Sequence, residues 1–88
     1  MAKYELTFLF DKNKKDMPSI LEKYIKDTGA KKITQDDWGV KPLAYQIKKR
    51  DQAQYLHFTA EIDPGKISSL EQAIRLDENL LRHLIVRV

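Results

Sequence analysis

The sequence has no cysteine, so disulfides, thiolate metal sites and thiol nucleophiles are excluded, as fits a reducing compartment. No apolar run approaches the roughly 20 residues that cross a bilayer. The opening MAKYELTFLF enters a strand at once, without the cleavage region of a signal peptide. A cytoplasmic protein, or its organelle equivalent, is expected, with no membrane partner. Glycine and proline are scarce, three of each, and no linker, repeat or low-complexity tract breaks the chain. The loop after the first strand, DKNKKD, has no glycine to form a backbone phosphate cradle. A P-loop or an acylphosphatase-like oxyanion site therefore finds no support. No Ser, His and acid grouping marks a nucleophile. His57 and His83 fall in different strands without metal-ligand spacing. Asp36 and Asp37 make a tempting carboxylate pair, but neighbours in a strand point to opposite faces. An enzyme is rejected, and no cofactor, metal or small-molecule substrate is implied.

What is present is the core of one domain spanning residues 1–88, with 42% hydrophobic content. Burying roughly fifteen aliphatic and aromatic side chains at about 1.5–3 kcal/mol each gives tens of kcal/mol, most of it offset by chain entropy. Tyr4, Leu6, Phe8 and Phe10 alternate with Lys3, Glu5 and Thr7, which predicts a strand with one buried face and only Leu9 out of place. Asp16 is positioned to cap a helix with Pro18 in its first turn, and Met17, Ile20, Leu21, Tyr24 and Ile25 form its apolar stripe. Gly29 ends it. An extended segment from about Lys31 to Lys48, a polar turn at KKRDQAQ, and YLHFTAEI then make a hairpin with Leu56, Phe58, Ala60 and Ile62 on one face. Asp63 and Pro64 start a second helix whose stripe is Ile67, Leu70, Ala73 and Ile74. LLRHLIVRV closes the chain as a strand with hydrophobes in both alternating sets; Leu84, Val86 and Val88 are placed inside.

Strand, helix, strand, strand, helix, strand is the order of an α+β, ferredoxin-like split βαβ fold: a four-stranded antiparallel sheet with two helices on one face. Right-handed crossovers put the first and third strands in the centre, so the second and fourth are edges. The stretch WGVKPLAYQIKK, residues 38–49, agrees with this. Val40, Leu43, Tyr45 and Ile47 favour extended chain, whereas Pro42 lacks an N–H for a neighbour and Gly39 invites a bulge.

Sixteen Lys and Arg against thirteen Asp and Glu leave only +3, but the cations cluster. KNKK (12–15), KK (31, 32) and KKR (48–50) fall in loops or at strand ends, where they read equally as solvated charges or as a nucleic-acid footprint. At the ends and edges of the sheet, Lys3, Lys41, Lys48, Lys49, Arg50, Arg82 and Arg87 are placed to meet phosphates, with Arg75 a weaker candidate. Trp38 reads equally as a lid on the core or as a partner contact. RNA recognition by base stacking on the open sheet face is the lesser alternative. Tyr55 and His57 can stack, but the first strand offers only Lys3, Glu5 and Thr7 beside them.

The stretch GVKPLAYQIK, residues 39–48, resembles the Gly-x-basic-polar-Leu-Ala-Tyr-x-Ile-basic signature of the bacterial small-subunit ribosomal protein six family. KYE at 3–5 and LDENLLRHLIVR at 76–87 are similar to it as well, so the likeness covers nearly the whole chain in order. Pro42 departs from the polar residue usual at its position, and the sequence stops at Val88 without the tail many members carry. The resemblance implies a non-enzymatic constituent of the small ribosomal subunit, bound to the central domain of small-subunit rRNA as a pair with ribosomal protein eighteen. It also implies that the partner docks along the second strand, with Trp38, Val40 and Tyr45 as apolar anchors. The alternative is a regulatory or RNA-recognition-type module of the same architecture outside the ribosome.

Overall fold

The alternation in YELTFLF is realised as β1, Ala2–Phe10, whose Tyr4, Leu6, Phe8 and Phe10 are buried on one side. The structure is a computed structural model describing residues 1–88. After β1 come α1 (Met17–Lys26), β2 (Lys31–Ile47), β3 (Arg50–Ile62), α2 (Pro64–Arg75) and β4 (Leu80–Arg87). The sheet order is β2-β3-β1-β4, antiparallel throughout. The first and third strands are thus central and β2 is an edge, as expected from Pro42.

Sixteen residues are buried, all of them apolar, and fourteen form one cluster between the sheet and the helices. Phe8 and Phe58 meet edge-on there at 5.8 Å, a geometry their quadrupoles favour. From α1 the cluster takes Met17, Leu21 and Ile25, with Ile20 and Tyr24 packed at its margin; from α2 it takes Leu70 and Ile74. The remaining two buried residues, Leu9 and Ala53, lie outside this cluster. Leu9 pairs with Tyr55 and sits between inward-facing Phe8 and Phe10, so it points to the face without helices. The residue that broke the alternation of β1 marks a small second apolar layer.

The helix boundaries have separate causes. Asp63 caps α2: its Oδ1 accepts from the Gly65 N–H at 3.0 Å, and Pro64 occupies the first turn. Asp16 stands at the corresponding place before α1, but its side chain makes no capping bond and its backbone is already helical. This departs from the expected cap; Pro18 and the buried stripe hold the first turn instead. Gly29 takes φ +78, three residues beyond the last helical residue Lys26.

The register of β4 reverses the expectation. Leu84, Val86 and Val88 are 60%, 43% and 67% exposed, while Ile85 pairs with Leu6 and packs on the core. The cause is a bulge. Phe10 pairs with Leu80 and Leu9 with Arg82, so Leu81 is an extra residue. Alternation counted from buried Leu80 would turn Leu84 and Val86 inward, and one inserted residue flips the whole set. His83 therefore faces the helices, with Nε2 3.6 Å from Glu71 of α2.

Candidate nucleic-acid and partner interface

Along β2, geometry is set by two irregularities. Asp37 pairs with Leu56 but Gly39 with Tyr55, so Trp38 is an inserted residue, and Gly39 takes φ +79. A side chain at Gly39 would meet nothing within 4 Å; the demand for glycine comes from the left-handed backbone, not from space. Asp37 Oδ1 accepts from the Gly39 N–H at 2.8 Å and also from Gln54 Nε2. Asp36 Oδ2 accepts from Trp38 Nε1 at 3.0 Å. The two carboxylates therefore serve opposite faces of the bulge, consistent with their adjacent positions in a strand.

The inserted Trp38 lies on the face without helices, its ring stacked on His57 with centroids 4.6 Å apart and planes at 10°. His57 Nδ1 is in turn 3.0 Å from Thr7 Oγ1 on β1. Lys41 Nζ sits 5.4 Å from the Trp38 ring centre and 5.7 Å from that of Tyr55, a cation over both π faces. Trp38 is no lid on the main core. Its aromatic neighbours are already stacked or covered, so the flat platform that single-strand base stacking requires is partly occupied by the protein itself.

The second irregularity follows Pro42, which pairs with Gln52, whereas Ile47 already pairs with Arg50. Residues Leu43 to Gln46 make an excursion that carries Tyr45 over the open face. Arg82 Nη1 of β4 donates to Tyr45 Oη at 2.9 Å, joining the two outer strands across the two central ones. The apolar anchors thus divide: Trp38 and Tyr45 belong to the open face, while Val40 pairs with Gln54, which pairs with inward-facing Phe10, and so points to the helix side. They are 41%, 64% and 44% exposed, respectively, and the outer side of β2 has no strand neighbour.

The cations expected to meet phosphates fall at two ends. Lys3 pairs with Glu61 and Arg87 with Tyr4 at one end of the sheet; Lys41, Lys48, Lys49, Arg50 and Arg82 lie toward the other, Lys41 of β2 opposite Ala53. Arg50 is not free: its Nε donates to Asp11 Oδ2 at 2.7 Å. Asp11 also accepts from the Asn13 N–H at 2.9 Å, and these two bonds, that from Asn13 foremost, hold its carboxyl below the ordinary carboxylate range. Lys48 and Lys49 are the two residues of a tight turn, both left-handed at φ 50 and 65. Lys48 Nζ reaches the Leu80 carbonyl at 3.4 Å. Arg75, on α2, is 3.6 Å from Glu71. Lys12, Lys14 and Lys15, which the sequence reads equally as solvated charges or as a nucleic-acid footprint, are not among those cations, although the fold brings their loop to the hairpin tip. The signal was the split βαβ order itself, which puts the first loop and the central hairpin at one end of the sheet.

A split βαβ domain of this kind, with an unpaired, bulged edge strand and separated cation clusters, falls in the ferredoxin-like α+β class, and no helix in it is long and apolar enough to cross a membrane. The fold matches the crystal structure of 30S ribosomal protein S6 from Thermotoga maritima with a TM-score of 0.85 over 99% of this chain and 87% of that one, at 21% identity. The family model for Ribosomal protein S6 matches residues 3–87. The small ribosomal subunit protein bS6 of Methylobacterium sp. (strain 4-46) is 36% identical over 93 aligned residues, covering 100% of this chain and 69% of that protein. The chain belongs to the Ribosomal protein S6 family of the small ribosomal subunit.

Proposed function

We propose that this chain is a structural, non-catalytic constituent of the small ribosomal subunit that binds the central domain of small-subunit rRNA together with ribosomal protein eighteen. The observation that carries the reading is the margin formed by β2. It has no strand beyond it, its bulge exposes Trp38 on one face while Val40 faces the other, and Tyr45 is the most exposed of the three. A segment lying along this edge meets both faces at once, as strand or groove docking requires. RNA is held through phosphates by Lys3, Lys41, Lys48, Lys49, Arg82 and Arg87. Arg50 acts mainly through its bond to Asp11. The partly self-covered aromatics support backbone recognition over base stacking.

A net charge of +3 neutralises few phosphates, so the isolated protein binds weakly and in a salt-sensitive way; the partner's surface supplies the remainder. Titrating the rRNA central domain with this protein over a salt series, with and without ribosomal protein eighteen, checks both halves. The expected result is tight binding only for the pair. Tight, salt-independent binding by the single chain, or no gain from the partner, removes the reading.

A further inference from the structure

The loop between β1 and α1 and the tip of the β2–β3 hairpin meet where β1 stops. Together, residues 11–15 and 48–51 hold six cations and two acids, a net +4 against +3 for the whole chain; counting the flanking Asp16 and Glu78 leaves the region positive. None of its five lysines is in an ion pair, although Asp51 and Glu78 lie nearby, and Asp11 is taken by Arg50. Two open clefts flank that bridge. One is lined by Lys12 from the loop and Lys49 from the tip, without any apolar residue. The other brings together Lys14 from the loop and Lys48 from the tip, beside Glu78 and Asn79.

We propose that the Asp11–Arg50 bridge is a clasp that holds the two loops together, so that Lys12 with Lys49 and Lys14 with Lys48 make two adjoining seats for successive phosphates of an RNA backbone. The inference rests on the rRNA-binding reading and adds to it a loop that the reading does not include. Several features fit it. The tip is fixed in a left-handed pair of residues that lysine adopts only with strain. Strain kept at such a place is expected where the geometry serves a ligand and not the fold. Ammonium groups outside any ion pair, brought together by two joined loops, are point charges suited to phosphate. Asp11 is a positioning residue that touches no ligand.

The test turns on a sign. Asp11→Asn keeps the Oδ1 that accepts from the Asn13 N–H but loses the carboxylate facing Arg50, and it raises the net charge by one. Simple attraction predicts tighter RNA binding, whereas loss of a clasp predicts weaker binding. Affinity is measured for the rRNA central domain with ribosomal protein eighteen present, over a salt series, with thermal unfolding to confirm that the variant is folded. We expect binding about 3–10-fold weaker, with a salt slope shallower by roughly one, the amount carried by one phosphate contact. Equal or tighter binding by folded Asp11→Asn overturns the clasp. A cycle of Lys12→Gln and Lys49→Gln, both exposed positions, gives a second test: residues sharing one seat show a combined loss smaller than the product of the single losses, and independent losses overturn the pairing. If the wild-type pair itself fails to bind the RNA, the rRNA-binding reading falls and the clasp with it, an outcome separate from the other two.

Discussion

On the helix side of the sheet, Phe8 meets Phe58 inside a layer closed to solvent; on the other side, His57 lies under a Trp38 that is 41% exposed. Both are contacts between aromatic rings, and they differ in what surrounds them. The first belongs to fourteen mutually buried residues, so removing one ring leaves a cavity that its neighbours cannot fill. The second belongs to a bulge on an edge strand, where water and long polar side chains can take the vacated space. One region stores the stability of the fold, and the other spends little of it to keep a surface in shape for contact.

Phe8→Ala gives the largest effect with which to test this division. Truncating a fully buried phenylalanine costs about 3–5 kcal/mol, against a total of roughly 5–15 kcal/mol for a domain. Urea denaturation should show the midpoint fall steeply, with the protein partly unfolded at physiological temperature. A cost under about 1 kcal/mol would mean that the helix layer is loosely packed and that the division is wrong.

The next effect runs in the opposite direction. Lys48 and Lys49 occupy a two-residue turn that calls for positive φ at both positions, for which Asn-Gly is the favoured pair. Left-handed backbone costs an ordinary residue on the order of 1–2 kcal/mol, and the extra unfolded-state freedom of a glycine returns roughly 0.5–1 kcal/mol of that. The double substitution Lys48→Asn/Lys49→Gly should therefore stabilise the protein by about 1–2 kcal/mol, a rise in Tm of several degrees. It should also weaken RNA binding by removing two cations. Stabilisation with unchanged RNA affinity would show the tip to be mere connection.

Much of this division could be read from the chain, and the places where it could not are specific. The alternation of β1 and the stripe Met17, Leu21, Ile25 named the inner face directly, because polar Lys3, Glu5 and Thr7 separate the buried residues of β1 as far as Phe8, and only Leu9 breaks the pattern. Gly39 and Pro42 named the edge, since each is tolerated where a ladder is interrupted. The register of β4 was illegible because a single inserted Leu81 reverses it, and a run of Leu, Ile and Val carries no polar marker for the insertion. At the interface, the exposure of Trp38 could be read but not its stacking on His57, which depends on a cross-strand register. The Asp11–Arg50 bridge joins residues 39 apart in sequence; only the meeting of two loops reveals it. Local patterns specify local faces, whereas pairings between loops depend on where the sheet stops.

Trp38→Ala sharpens the comparison from the exposed side. Offset or stacked rings contribute about 0.5–1.5 kcal/mol beyond the area they bury, and here the ring is only partly covered, so a loss near 1 kcal/mol in stability is expected. Pairing with ribosomal protein eighteen should weaken by more, since an exposed anchor is worth about 2 kcal/mol or more when a partner encloses it. Measuring thermal unfolding and partner affinity on the same variant gives the ranking. A larger loss in folding than in pairing would return Trp38 to a purely internal role.

The smallest expected effect separates the regions by pH. In the helix layer, Tyr24 Oη donates to Asp77 Oδ2 at 2.9 Å, tying α1 to the loop before β4. That bond, then desolvation, then the charge of Asp77 raise the tyrosine above its ordinary value. A raised folded value means that the native state binds the proton more tightly than the unfolded chain. The contribution is therefore complete below about pH 10, the ordinary tyrosine value, and is lost as pH rises through the raised one. The Asp11–Arg50 bridge at the tip has the opposite sign. Its depressed carboxyl favours the native state above the ordinary carboxylate value, and the contribution disappears as pH falls through the depressed one. Urea stability measured across pH for wild type, Tyr24→Phe and Asp11→Asn should show the first variant's deficit at neutral pH fading on the alkaline flank, and the second's deficit at neutral pH fading on the acid flank. Both groups are largely solvated, so each difference is small. If Tyr24→Phe instead matches wild type at every pH, the hydrogen bond to Asp77 adds nothing, and the helix layer owes its cohesion to apolar contact alone.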